Sequence, residues 1–417
     1  MSHSLRSNLT AGMIVQASNL VLPLLTIPLL ARSFATDGFG RYVIAVAATT
    51  YVCLVVEWGL TISAARTVAH HRDVPDKLAE TFWVNIATRF MLLGPAAAIL
   101  VFVDFFFVRD FNFSAVAILA LLGTAINTDW LLLGLERGRD IATRVLLGRL
   151  VTTLLVFGLV RGRSDIILAF SLWVTGGFIS SLLIFISSKR RVPPLNSAIT
   201  MASVFKNIAD QRHSFTIRAA ALLYAISAPI IAGAVTGPGA AGLYGGADRI
   251  ARAALGFFGQ ISNAVTPRTN YLFRASPSEM IRFMRISATV QIVVASVCCI
   301  FIFVAAPLLV RYILGVPFVD SVELLKVLSG LVPLVVINNI LGVQFLVPLG
   351  SEKQVARSTL FTLLAFLIGS FLLGLQFGAF GVAIATILAE MFCLSLLMST
   401  LLRLHPEVLG TGKGWQA

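Results

Sequence analysis

Twelve apolar runs, each about as long as a membrane-crossing helix and joined by short connections, leave this chain few ways to fold. They lie at approximately 10–34, 41–64, 82–103, 113–135, 144–160, 166–187, 213–235, 241–265, 286–310, 322–347, 357–377 and 379–402. About 20 apolar residues cross the ~30 Å hydrocarbon layer as a helix. Within lipid a helix satisfies its own backbone hydrogen bonds, so the runs have no competing structure. The expected fold class is an all-α integral membrane protein with about 12 transmembrane helices. Composition agrees: 58% of the 417 residues are hydrophobic and 12% are charged, against ~25% charged in a soluble domain.

The net charge of +13 reads as topology rather than nucleic-acid binding, because basic residues in cytoplasmic loops orient membrane proteins. With the N-terminus inside, 20 of the 32 Lys and Arg residues fall on the cytoplasmic side, and 6 (Arg32, Arg41, Arg109, Arg161, Arg163, Arg311) fall outside. Both termini are therefore expected in the cytoplasm. The domains expected are a six-helix bundle over 1–190, a basic cytoplasmic linker over 191–212 with Lys189-Arg190-Arg191 at its border, a second bundle over 213–402, and a cytoplasmic tail over 403–417. Cys53, Cys298, Cys299 and Cys393 all sit in apolar runs without metal-ligand spacing and are expected as core residues. The first run is too long for a cleavable signal. The sequon at Asn8 opens that run and is discounted.

The two bundles carry traces of duplication at an offset of 202 residues. Gly40-Arg41-Tyr42 recurs as Gly242-Leu243-Tyr244, and Arg66-Thr67 as Arg268-Thr269. Asp37-Gly38-Phe39-Gly40 and Thr236-Gly237-Pro238-Gly239 are expected to form the turns between the first two helices of each copy. Six spans per copy make the repeat parallel, with its axis along the membrane normal.

Charges inside spans point to function, since each costs roughly 2.5–3.5 kcal/mol at the bilayer centre. Arg249 and Arg252 lie about 12–17 Å into the eighth span and three residues apart, on one helix face. Asp248, four residues before Arg252, is placed to neutralise it, leaving one positive charge. Arg89 and Arg218 lie one to two turns inside their spans, where snorkelling competes with a binding role. Arg149 lies closer to its loop, and Lys326 and Glu323 read as a local pair. Positions 248, 249 and 252 align with Val46, Ala47 and Thr50 of the first copy, and Glu57 aligns with Gly259. The charges are thus where the copies differ. Gln16, Asn19, Asn127, Gln260, Asn263, Asn338, Asn339 and Gln344 suit either sugar hydroxyls or interhelical hydrogen bonds. Pro23, Pro28, Pro95, Pro229, Pro307 and Pro333 are placed to bend helices. No Walker A, GxSxG or metal-ligand spacing is present, and no cofactor or metal is expected; His70-His71 read as part of a basic loop.

Pro23-Leu-Leu-Thr-Ile-Pro28-Leu-Leu-Ala-Arg32 followed by Asp37-Gly-Phe-Gly-Arg-Tyr42 resembles the N-terminus of Wzx-type O-antigen and exopolysaccharide flippases. These belong to the multidrug/oligosaccharidyl-lipid/polysaccharide (MOP) exporter superfamily. Trp58-Gly59-Leu60 through Ala64-Ala65-Arg66, and Gly242-Leu-Tyr-Gly-Gly-Ala-Asp-Arg-Ile250, fit the same pattern. Leu29 stands where a Tyr is common. The resemblance implies two six-helix bundles in a V around a cationic cavity. It implies transport of a polyprenyl-pyrophosphate-linked oligosaccharide from the inner to the outer leaflet of a bacterial inner membrane. The partners implied are that lipid-linked substrate, the bilayer, and a polysaccharide polymerase with chain-length proteins; nucleic acid is not among them.

The expected function is alternating-access flipping, without enzymatic chemistry. Arg249, Arg252, Arg218 and Arg89 are expected to hold the diphosphate, and Asp129, Asp248 and Glu57 are candidates for ion coupling. A drug or metabolite exporter of the same architecture is the alternative, although its cavity would be more acidic. A membrane-embedded polymerase is a further alternative, disfavoured by outer loops of about ten residues or fewer.

Overall fold

A computed structural model describes residues 2–105, 111–195 and 198–404. The described residues are helical with short connections and contain no strand. In chain order the helices are α1 (Ser2–Glu57), α2 (Leu60–His71), α3 (Pro75–Val103), α4 (Phe111–Ile126), α5 (Asp129–Gly134), α6 (Gly138–Leu159), α7 (Ile166–Lys189), α8 (Met201–Thr236), α9 (Pro238–Ala275), α10 (Pro277–Leu309), α11 (Ser321–Ser329), α12 (Leu331–Asn339) and α13 (Glu352–Leu404). α10 and α12 each run on into a π-helical stretch, Val310–Leu314 and Ile340–Leu346. Of the sequence expectations, Arg109 and the tail from residue 405 lie outside the described residues, as do the side chains of Asn8, Gln16, Asn19 and Pro23.

Nine helices among the described residues are long and apolar enough to cross a membrane. Two are each interrupted by a single non-helical residue, Ala35 in α1 and Gly378 in α13. α9, which contains the expected eighth span and carries Asp248, Arg249 and Arg252, is not among the nine. The outer surface is a hydrocarbon solvent's surface. Along α10, Val290, Val293, Val297, Ile300, Phe301 and Val304 are all more than half exposed. An apolar stripe of that kind on a helix exterior is stable only against lipid. The chain is a multi-pass membrane protein.

Contacts divide the chain into two units, residues 1–34 with 44–222 and residues 35–43 with 223–417. The first unit packs α4 and α6 on α7, and α2 on α3 and α5. Its core gathers Val68, Leu78, Phe82, Ile86, Trp130 and Leu131, with Phe82 6.0 Å from Trp130 and 6.1 Å from Phe185, centroid to centroid. The second unit packs α9, α10 and α11 together, with α12 and α13 against them. The segment expected as a linker is helical from Met201, where α8 begins. α8 starts in the first unit and passes into the second at residue 223.

The duplication is written in the backbone. Ala35 has φ 54° and ψ −171°, and Gly237, 202 residues on, has φ 95° and ψ 170°. The turns expected at 37–40 and 236–239 are these single residues, and residues 37–40 and 238–239 belong to the helices that follow. Gly40 and Gly242 serve packing instead of turning. A Cβ on Gly40 would lie 1.7 Å from Pro238 O, and one on Gly242 would lie 2.0 Å from Thr36 O. Residues 36 and 238 are again 202 apart, so two equivalent helix starts cross backbone to backbone about a local twofold. The second anchor repeats as well: Thr67 Oγ1 donates to Ser63 O at 3.1 Å, and Thr269 Oγ1 to Val265 O at 3.2 Å.

Candidate functional site

Each unit carries its own set of the charged residues. In the first unit α1 ends at Glu57, because Trp58 (φ 46°) and Gly59 (φ 69°) leave helical space. The Trp58 ring stacks on Phe215 at 4.1 Å, and its Nε1 donates to Ile208 O at 3.0 Å. The turn is thereby fastened to α8 and brings Glu57 to Arg218. Arg218 Nε lies 2.8 Å from Oε1 and 2.9 Å from Oε2 of Glu57. The glutamate is largely buried and the arginine about half exposed.

Arg89, on α3, is 1% exposed. Its Nη1 donates to Thr124 O at 3.0 Å and to Asn127 O, and its Nη2 to Thr61 Oγ1 at 3.3 Å. These carbonyls lie at the C-terminal end of α4, where the helix has no amides left to satisfy them. A cation there also complements the helix dipole. Asp129 opens α5. Its Oδ1 accepts from Trp130 N at 2.8 Å, and its own N–H donates to Asn127 Oδ1 at 2.9 Å. Arg89 and Asp129 thus build the break between α4 and α5. In the first unit Glu57 and Arg218 form an ion pair, while Arg89 and Asp129 each bind to backbone around the α4–α5 break.

In the second unit Arg252 Nε meets Asp248 Oδ1 at 2.9 Å and Oδ2 at 2.7 Å. The pair expected from their spacing forms within α9. Arg249 takes a different course. Its guanidinium carbon lies 5.0 Å from the centroid of the Phe39 ring and 5.9 Å from that of Tyr42. Among the described residues no carboxylate forms an ion pair with it. Cation–π contact holds such a group in place while leaving its N–H donors available. Arg149 likewise has no ion pair among the described residues, and Lys326 pairs with Glu323 at 2.7 Å as expected.

One residue that the sequence left unassigned stands out. Glu390 on α13 is 5% exposed. It accepts from Tyr224 Oη and from Asn338 Nδ2, the latter at 2.6 Å to Oε2. Both donors are neutral, and no Lys or Arg forms an ion pair with Glu390 among the described residues. A carboxylate inside an apolar run was the available signal, but only the fold shows that its hydrogen-bond donors are neutral. The amides of the tenth span resolve into interhelical bonds: Ser262 Oγ to Asn339 Oδ1 at 2.7 Å, and Gln344 with Gln291 at 3.1 and 3.2 Å.

Residues 5–273 match the family model described as polysaccharide biosynthesis protein. A protein of Escherichia coli (strain K12), provisionally named an O-antigen transporter, is 26% identical over 399 residues, covering 95% of this chain and 96% of that one. A protein of Shigella dysenteriae with the same provisional name is 24% identical over 391 residues, covering 93% and 97%. Among solved structures, the lipid II flippase MurJ in an inward closed conformation superposes with a TM-score of 0.69 at 14% identity, covering 94% of this chain and 86% of that one. An inward-facing MATE family transporter of the MOP superfamily superposes with a TM-score of 0.65 at 15% identity, covering 94% and 96%. The chain has the fold of the MOP-superfamily exporters and belongs to the polysaccharide biosynthesis protein family.

Proposed function

We propose that the protein flips a polyprenyl-pyrophosphate-linked oligosaccharide from the inner to the outer leaflet of a bacterial inner membrane, by alternating access and with both termini in the cytoplasm. The family and the O-antigen transporter names of its relatives support the substrate class. The observation that carries the site is Arg249: a guanidinium in the charged stretch of α9, held over two aromatic rings and in no ion pair among the described residues. A pyrophosphate diester offers two negative charges and several acceptor oxygens, which charge-assisted hydrogen bonds from a guanidinium satisfy. Arg252 and Arg218 contribute after exchanging a carboxylate for the phosphate. Arg89, whose donors go to backbone carbonyls and Thr61, contributes by shaping α4 and α5. Movement of an anion out of a negative cytoplasm is favourable by ~2.3 kcal/mol per charge per 100 mV.

The test replaces Arg249 by Ala, verifies membrane insertion, and measures surface polysaccharide in a strain lacking the native gene. Loss of surface polymer is expected, and normal polymer would sink the site. Asp129, Asp248 and Glu57 remain candidates for ion coupling, Asp248 and Glu57 each ion-paired to an arginine. Glu390, held only by neutral donors, is the better placed to gain and lose a proton. Glu390→Gln is expected to leave the protein inserted while abolishing the response of transport to an imposed pH gradient; a retained response rules it out.

A further inference from the structure

At the ends of α6 and α7 lies a charge cluster that the transport reading does not use. Asp140, in the first turn of α6, meets three guanidinium groups at once. Arg191 Nη2 lies 2.9 Å from Oδ2, Arg137 Nη1 3.5 Å from Oδ2, and Arg144 Nη1 3.5 Å from Oδ1. Arg191 is fixed further by Nη1 donating to Ser187 O and Oγ. One carboxylate against three cations leaves the cluster near +2. Holding like charges this close is unfavourable by Coulomb's law unless something offsets it, and the N-terminus of α6 adds partial positive charge to the same place. Burial, and then the neighbouring Arg137, push the Arg191 guanidinium below its ordinary pKa.

The flank below this cluster is built for hydrocarbon. Three and ten residues after Arg144, on the same side of α6, Leu147 and Leu154 are 53% and 70% exposed. Ten residues span about 15 Å of helix, close to one leaflet's hydrocarbon depth. We propose that the Arg137–Arg144–Arg191 cluster binds the phosphate headgroup of an anionic membrane phospholipid whose acyl chains lie along the exposed Leu147–Leu154 flank. Guanidinium N–H groups not used by Asp140 donate to the phosphate oxygens, the geometry to which arginine is suited. By the distribution of basic residues, this is a lipid of the cytoplasmic leaflet.

The full chain, purified in detergent and stripped of lipid, is titrated with phosphatidylglycerol or phosphatidylcholine and read by native mass spectrometry. The wild type is expected to retain phosphatidylglycerol preferentially. Arg144→Gln with Arg191→Gln weakens that binding by about fivefold per arginine, and Arg144→Lys with Arg191→Lys keeps most of it. Asp140→Asn tightens it, because the competing carboxylate is gone. Unchanged retention in the double Gln variant overturns the proposal. So does weaker binding in Asp140→Asn together with a Lys variant no better than the Gln variant, since both mark a cluster that serves only the fold. Displacement of phosphatidylglycerol by millimolar inorganic phosphate overturns the lipid assignment in favour of a soluble anion. None of these readouts involves transport, so they stand or fall apart from the flippase reading.

Discussion

Arg89 separates a structural arginine from a substrate-binding one, and the separation can be measured. Its guanidinium makes three hydrogen bonds, two of them to backbone carbonyls at the end of α4. Replacing it with Met keeps the length and apolar stem but removes every donor. Thr124 O, Asn127 O and Thr61 Oγ1 then lose a charged donor, and the nearby Asp129 loses a favourable positive charge. Hydrogen bonds to a charged group are worth about 1.5–3 kcal/mol each, so losing the two to buried carbonyls is destabilising by roughly 3–5 kcal/mol. For chains of 150–250 residues 1 kcal/mol is worth ~2–4 °C in Tm, and proportionally less in a longer chain. Arg89→Met should therefore lower the melting temperature in detergent by roughly 3–10 °C.

The assay is thermal unfolding of the purified variant in detergent, followed by intrinsic fluorescence. A second variant sharpens it. Adding Asp129→Asn to Arg89→Met removes the stranded carboxylate, so the double variant should be more stable than the sum of the two single changes, a positive coupling of about 0.5–3 kcal/mol. A single variant that melts within about 2 °C of wild type yet exports no polysaccharide would refute the reasoning. Arg89 would then be a ligand group, as the sequence alone suggested, and the α4–α5 break would hold without it.

Gly40→Ala and Gly242→Ala should each abolish folded protein on size-exclusion chromatography, since the new Cβ meets backbone at 1.7 and 2.0 Å; Gly177→Ala, where nothing lies within 4 Å, should behave as wild type. Ala35→Gly should raise Tm, because a non-glycine residue at φ 54° stores about 1–3 kcal/mol, of which the greater freedom of unfolded glycine returns ~0.4–1; a lower Tm would show that Ala35 is not strained. Arg218→Gln should change stability by less than ~1 kcal/mol, the ordinary worth of a pair with an exposed member, while reducing surface polysaccharide; a large loss of Tm would make the Glu57–Arg218 pair a fold element instead.

Much of the fold was legible because lipid allows so few solutions. Apolar runs located the helices, and the Gly-x-Tyr and Arg-Thr anchors located the repeat without a gap. The turns were misplaced for a physical reason. Glycine was read as a backbone breaker at 37–40, whereas Gly40 is needed for the absence of a side chain, and the break falls on Ala35, a residue whose type gives no warning. The site was legible as a set of charges but not as their pairing. Spacing within one helix predicted Asp248–Arg252, four residues apart. It said nothing of Glu57 and Arg218, 161 residues apart, nor of Arg89 turning to carbonyls 35 and 38 residues on. Glu390 was visible as a carboxylate, but its pairing with the neutral donors Tyr224 and Asn338 is a property of packing.

The repeat explains why Arg249 rather than its neighbour forms no ion pair among the described residues. In both copies a tyrosine follows the crossing glycines by two residues, Tyr42 after Gly40 and Tyr244 after Gly242. In the second copy Tyr244 is fully buried and bonds to Thr386 Oγ1 at 3.0 Å, so its ring is taken up by α13. Tyr42 has Arg249 over its face instead, with Phe39 beside it. The position that faces these rings was free to become a cation because its counterpart, Ala47, shows that the helix crossing does not need one. Asp248 arrived on the same turn but spends its charge on Arg252, one turn along the helix. The scaffold shared by the copies is therefore the glycine crossing, and the proposed site lies in the substitution of three residues beside it. Restoring the first copy's residues at all three positions, Asp248→Val, Arg249→Ala and Arg252→Thr, should leave a folded protein that inserts normally and exports nothing. Aggregation of that variant, with Arg249→Ala alone still soluble and active, would show that these charges hold the fold and do not serve transport.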